Sequence, residues 1–151
     1  ILNTFALQEK PDLIDDAAKI FGSQAVVINI EAKKYHNKWM CYSDGGKIQS
    51  SLESKEWAKE VEMRGAGEII IQSVDTDGSQ KGFDIELAKT VVSSVNIPVV
   101  VGSGAGTLDD IKTLIEIVKP SGISLASLLH YKKFSIKDIK SYLALHKVGG
   151  Y

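Results

Sequence analysis

The chain has 151 residues, 44% of them hydrophobic and 25% charged, with 18 Lys+Arg against 19 Asp+Glu and a formal net charge of −1. That composition supports a folded core and argues against disorder. The even charge gives no broad pull toward nucleic acid or an anionic membrane, so any phosphate would have to be held locally. No apolar run reaches the roughly 18 residues that span a bilayer, and no secretory leader pattern opens the chain. A single cysteine, Cys41, rules out an internal disulfide framework and fits a reducing, cytoplasmic setting. The opening Ile1-Leu2-Asn3-Thr4 lacks Met, which reads as a piece of something longer.

In chain order, the first helix is expected after Pro11 and Asp12, with Leu13, Ile14, Ala17, Ala18, Ile20 and Phe21 as its apolar positions and Gly22 as its stop. The β-branched run Ala25 to Ile30 reads as a strand. The segment Tyr35 to Ser51, with Asp44-Gly45-Gly46 near its middle, reads as an inserted β-hairpin. A helix over Leu52 to Arg64 leads into a strand at Glu68 to Ile71, and a helix from about Ile85 to Val95 leads into a strand at Val99 to Val101. The next helix has Leu108, Ile111, Leu114, Ile115 and Val118 on one side, with Thr107 as N-cap and Asp110 three residues on. A strand at Gly122 to Leu125 and a final helix from Ser135, with Ile136, Ile139 and Leu143 inward, complete the pattern. Strands apolar on both faces, alternating with amphipathic helices, call for an α/β fold with a parallel sheet. An open doubly wound sheet and a (β/α) barrel both satisfy it.

Ligands in such folds lie at the C-terminal ends of the strands. Those positions are Asn3-Thr4, Glu31, Ser73 to Gly82, Gly102 to Thr107 and Ala126-Ser127. The loop Asp75-Thr76-Asp77-Gly78 reads either as a polar turn or as an anion-binding loop, and the absence of a closing Glu excludes an EF-hand. The turn Gly102-Ser103-Gly104-Ala105-Gly106 sits between a strand and a helix, as a phosphate loop would, but lacks the Lys of a Walker loop. Glu31, at a strand end, is either a general acid or base or a solvated charge beside Lys33. Cys41 has no readable nucleophile motif around it and is read as structural. His36, His130 and His146 show no metal spacing, and neither a metal nor a cofactor is assigned.

Taken together, N-T, A-V-V-I-N-I-E-A-K, R-G-A-G-E-I-I-I-Q-S-V-D-T-D-G-S-x-x-G-F-D, P-V-V-V-G-S-G-A-G and L-A-S-L-L-H resemble the C-terminal part of the cyclase subunit of imidazole glycerol phosphate synthase. The resemblance spans essentially the whole chain, and R-G-A-G-E followed by the D-x-D-G loop is its most specific part. It implies a (β/α)8 TIM barrel, of which residues 1–151 would form one domain from about the fourth strand to the eighth helix, a C-terminal half-barrel fragment. It implies a lyase that cyclises a bis-phosphorylated formimino ribulosyl nucleotide with ammonia from a glutaminase partner. Glu31 falls at the position of a catalytic aspartate, one methylene longer. Asp77, Gly78, Gly104, Ala126 and Ser127 match one phosphate site, with Gly102-Ser103-Gly104 standing for the family's S-G-G. Asn3 and Thr4 match contributors to a second phosphate site, and Glu68 matches a glutamate of the ammonia gate. Two further readings remain beside cyclisation. Glu31 and the inserted hairpin favour a paralogue that channels ammonia for amidation of surface-polysaccharide sugars. Strand edges left exposed by an unclosed sheet would suit a non-catalytic half-barrel that self-associates.

Overall fold

The computed structural model describes residues 1–148, the side chains of residues 4 and 5 excepted. Its elements in chain order are α1 (Thr4–Gln8), α2 (Asp12–Phe21), β1 (Val27–Tyr35), β2 (Lys38–Ser43), β3 (Ile48–Glu53) and α3 (Ser54–Met63). They continue with β4 (Glu68–Ser73), α4 (Ile85–Val92), β5 (Val99–Gly102), α5 (Leu108–Val118), β6 (Gly122–Ile123), α6 (Ser127–His130) and α7 (Ile136–Leu145). One six-stranded sheet runs in the order β3-β2-β1-β4-β5-β6. The β1/β4, β4/β5 and β5/β6 pairs are all parallel, and β2 and β3 extend the sheet antiparallel. Before α1, Leu2 forms a parallel bridge with Ile28 on the β1 edge away from β4, a single rung of a further parallel strand. The fold is part of a (β/α)8 barrel, with strands alternating with helices as the apolar periodicity requires.

Alternation along each parallel strand sorts the side chains. Ile28, Ile30 and Ala32 in β1, Ile69 and Ile71 in β4, and Val99 and Val101 in β5 are buried against the helices, together with Trp57, Leu87, Ile111 and Leu114. The intervening residues Asn29 and Glu31, Ile70 and Gln72, and Val100 are only half-buried. They form the inward row of the barrel wall.

Several boundaries differ from the sequence reading. Residues 23–25 form a 3-10 turn in which the Val26 amide bonds Ser23, so β1 starts at Val27 and then runs on to Tyr35. Its extension pairs with β2 through Glu31↔Tyr42 to Tyr35↔Lys38, so the expected hairpin is a three-stranded meander with β1 as its first member. Glu53 pairs with Met40, which holds Leu52 and Glu53 in β3 and delays α3 to Ser54. Likewise α4 ends at Val92, and β6 has two residues instead of four. In α2 only Ile14 is fully buried, while Ile20 and Phe21 are 71% and 66% exposed. Ile20 lies six residues past Ile14, on the far side of a 3.6-residue helix. Ile136 shares the face of Ile139 and Leu143 but is the first residue of α7, and it stays 50% exposed.

The R-G-A-G-E segment has a structural explanation. Arg64 donates to Asp12 (3.0 Å), Asp15 (2.8 Å) and Glu60 (3.0 Å), tying α2 to α3 just before β4. The Asp84 of G-F-D accepts from the Leu87 amide (2.9 Å), capping α4, and from the Trp39 indole (2.8 Å), which fastens the meander to that helix. Among the described residues no helix is long and apolar enough to cross a membrane.

Candidate functional site

At the C-terminal ends of β1, β4 and β5, two clefts of about 260 and 280 Å³ adjoin. The first is lined by Glu31, Gly45, Gln72, Asp77 and Ser103 among others, and the second by Asp77, Gly78, Gly104, Ala126, Ser127 and His130 among others. Gln72, Asp77 and Ser103 belong to both and make up the wall between them.

Glu31 stands in β1 opposite Gln72 of β4 and Tyr42 of β2. One carboxylate oxygen accepts the Gly46 amide at 3.1 Å, which brings the tip of the β2–β3 turn over the first cleft. Glu31 is therefore neither a free strand-end charge nor paired with Lys33. A half-buried carboxylate held by a single backbone donor at a cleft wall can exchange a proton with a bound molecule.

In the second cleft the loops following β4 and β5 are locked together. Gly82 donates its amide to the Gly104 carbonyl at 2.9 Å, and a Cβ on Gly104 would lie 2.2 Å from the Gly82 carbonyl oxygen. Gly104 also has a φ of +103°, so both the approach and the backbone conformation demand glycine. Ser103 adopts a φ of +70°, unusual for a residue with a side chain, and donates its hydroxyl to Asp77 at 3.2 Å.

This geometry alters two details of the anion loops. Gly106 and Thr107 both donate their amides to Asp110, at 2.9 and 2.8 Å, while the Asp110 amide bonds Thr107 at 3.1 Å. The Asp110 carboxylate thus takes up the Gly106 and Thr107 amides, and the part of the loop lining the cleft is Ser103 to Ala105. Asp77 turns to Ser103 on the neighbouring loop, while the Ser79 amide closes onto Thr76 at 3.0 Å. Its side chain acts between loops and does not cap its own turn.

Asp77, Gly78, Gly104, Ala126 and Ser127 therefore come together, with Glu31 next door. Asn3 and Thr4 do not join them, because they follow the Leu2 bridge on the far side of β1, whereas Ala126 and Ser127 follow β6 at the other end of the sheet. The Asn3 carbonyl accepts the Leu7 amide within α1, and the Thr4 side chain lies outside the described residues. Glu68 opens β4 opposite Val27, at the other end of the strand from both clefts and about 16 Å along it at strand rise. Cys41 is wholly buried, and burial pushes its thiol up to about 12, which suppresses the nucleophilic thiolate. Among the described residues no three His, Cys, Asp or Glu side chains converge as metal ligands.

The pattern of the family described as Histidine biosynthesis protein matches residues 1–135. The chain belongs to that family. Among curated histidine biosynthesis proteins, it is 45% identical over 150 residues to the imidazole glycerol phosphate synthase subunit HisF of Prochlorococcus marinus (strain MIT 9515), covering 97% of this chain and 58% of that protein. It is 43% identical over 143 residues to the HisF of Thermococcus onnurineus (strain NA1), covering 95% and 56%, and 43% identical over 146 residues to that of Nostoc sp. (strain PCC 7120), covering 94% and 56%. The chain thus spans a little over half the length of these relatives. In this chain, sequence reasoning missed Gln72, His130 and Tyr131 as cleft residues. Gln72 carries a readable signal, a polar side chain directly after the apolar run Ile69 to Ile71 and on the inward row. His130 carries none, since its place depends on how α6 packs.

Proposed function

We propose that the chain is the strand-four to helix-eight part of a cyclase subunit of imidazole glycerol phosphate synthase, one domain that contributes half of an active site. In this reading Glu31 is that half's general acid or base, and the Asp77-Gly78, Gly104 and Ala126-Ser127 loops hold one phosphate of a bis-phosphorylated ribulosyl nucleotide. The observation that carries it is the juxtaposition of the Glu31 cleft and the glycine-loop cleft, which share Gln72, Asp77 and Ser103. A substrate whose phosphate sits among the loops would extend its reacting end toward Glu31. Among the described residues no Lys or Arg lines the phosphate cleft, so backbone amides and His130 would supply the attraction. Ammonia would come from a glutaminase subunit docked at the opposite face, past Glu68. The exposed Ile20, Phe21 and Met63 at the adjoining ends of α2 and α3 support a partner on that side. Asn3 and Thr4 would serve the second phosphate with groups from the other half.

The test is cyclisation by the full-length protein with ammonium supplied. Glu31→Gln should lower kcat by about 10²-fold or more while leaving KM nearly level, because the amide keeps the shape but cannot exchange the proton. Unchanged turnover would remove Glu31 from the chemistry. The 151 residues alone should show no turnover, since the catalytic groups act as a unit.

A second reading, ammonia channelling for amidation of polysaccharide sugars, is favoured by the Gly46 contact, which commits the longer carboxylate of Glu31 to the meander. Glu31→Asp separates the two. Imidazole formation should stay level or rise in a cyclase, whereas sugar amidation should fall or not respond.

A further inference from the structure

Gln72 is the residue common to both clefts that has no assigned role. It sits at the centre of the inward row, opposite Glu31 on one side and Gly102 on the other. Its side chain leans across β5. A Cβ on Gly102 would lie 3.4 Å from its Cγ and 3.6 Å from its amide nitrogen, with the Ser124 Cβ also at 3.4 Å. The carboxamide therefore lies over the bare backbone of Gly102, on the boundary between the Glu31 cleft and the phosphate cleft. Among the described residues it has no hydrogen-bond partner, although the residue is half-buried. The other two members of the shared wall, Asp77 and Ser103, are bonded to each other at 3.2 Å.

We infer that Gln72 is a specificity-determining residue that hydrogen-bonds a hydroxyl in the segment of ligand joining the phosphate to the reacting end. A carboxamide offers a donor and an acceptor on one rigid plane; a hydroxyl can use both, whereas an ionised phosphate can use only the donor. The class of ligand selected is a phosphate monoester of a hydroxylated chain. The inference rests on the proposed phosphate cleft and its phosphorylated sugar ligand, and adds the residue that would recognise the hydroxylated chain.

Two ligands and two variants of the full-length protein test it by calorimetric or amide-shift titration. Inorganic phosphate probes the loops alone, and glycerol 3-phosphate adds the hydroxylated chain. The unaltered protein should bind glycerol 3-phosphate about three- to tenfold more tightly than phosphate, the range one hydrogen bond carries. Gln72→Ala should abolish that preference and leave phosphate affinity within about twofold. Gly102→Ala, whose Cβ would only come into ordinary contact with the Gln72 side chain, should leave the preference within about twofold, which separates loss of the carboxamide from a change in its surroundings. A preference that survives Gln72→Ala, or its absence in the unaltered protein while phosphate binds, overturns the role of Gln72. Failure of both ligands to shift the Gly78, Gly104 or Ser127 amides up to about 10 mM overturns the phosphate cleft itself and this inference with it.

Discussion

The two flanks of the β4–β5 pair are built differently. On the Glu31 side, β1 matches β4 over six register pairs and β2 over five, and Arg64 braces the helices behind. On the side of Ala126 and Ser127, β5 and β6 share two register pairs, and the chain beyond Ile123 is held by single bonds such as Ser124 to Val101 at 2.9 Å. There, loop closures and capping boxes replace the ladder, at Gly82–Gly104, Thr107–Asp110 and Ser135–Asp138. Glu31, the proposed acid or base, stands on the continuous ladder. The amides proposed to meet a phosphate lie in loops, because a ladder would have used them.

The largest effect should come from the ladder flank. Trp57→Ala empties a fully buried site behind the sheet and should cost about 3–5 kcal/mol in urea unfolding. The Cys41 thiol, inert in the native state, should then react with iodoacetamide in step with unfolding. A loss below about 1 kcal/mol would mean that this flank repacks freely.

Gly104→Ala attacks the loop flank. The Cβ at 2.2 Å from the Gly82 carbonyl and the φ of +103° should together cost about 1–3 kcal/mol and abolish phosphate-induced amide shifts at Gly78 and Ser127. Cys41 should remain protected, which sets this variant apart from Trp57→Ala. Intact phosphate shifts would show that the two loops do not depend on each other.

Arg64→Met should cost about 1–2 kcal/mol, because it leaves Asp12, Asp15 and Glu60 without their shared cation. The loss relative to the parent should shrink in high salt, where the remaining like charges are screened. Thr107→Ala breaks the capping box of α5 and should cost about 1 kcal/mol, measured as a lower urea midpoint at unchanged m.

The smallest effect is one of pH. Bonds from the Ser135 hydroxyl and then the Ser135 amide hold the Asp138 carboxyl below its usual range in the folded chain. Its contribution is therefore full above the unfolded carboxylate pKa and is lost as pH falls through the lower folded value. Ser135→Ala should flatten the acid side of the stability profile relative to the parent. An unchanged profile would show that this cap contributes nothing to acid sensitivity.

The alternation of apolar runs and amphipathic helices was enough to read the parallel strands, and Thr107 with Asp110 announced the start of α5, because these features depend on neighbours three or four residues apart. The Ser135 start of α7 was legible for the same local reason. Ile20, Phe21 and Ile136 were misassigned inward: Ile20 falls off the buried stripe of α2, while Phe21 and Ile136 lie on the buried faces but at helix ends, where periodicity does not say whether anything covers them. The D-G and glycine loops and the position of Glu31 were visible as residue types at strand ends, without their partners.

What the sequence by itself determined was the order of strands and helices, the caps and the set of loops that meet at one end of the sheet, all products of local periodicity and turn chemistry. Only the tertiary structure decided that Glu31 bonds Gly46, that Asp77 serves Ser103 and not its own turn, and that Gln72 lies over Gly102 between two clefts. The first two link residues 15 and 26 positions apart, and the third joins neighbouring strands at a separation of 30. Such pairings follow from register and loop closure, which hydrophobic patterning constrains to a face of the sheet but not to a particular partner.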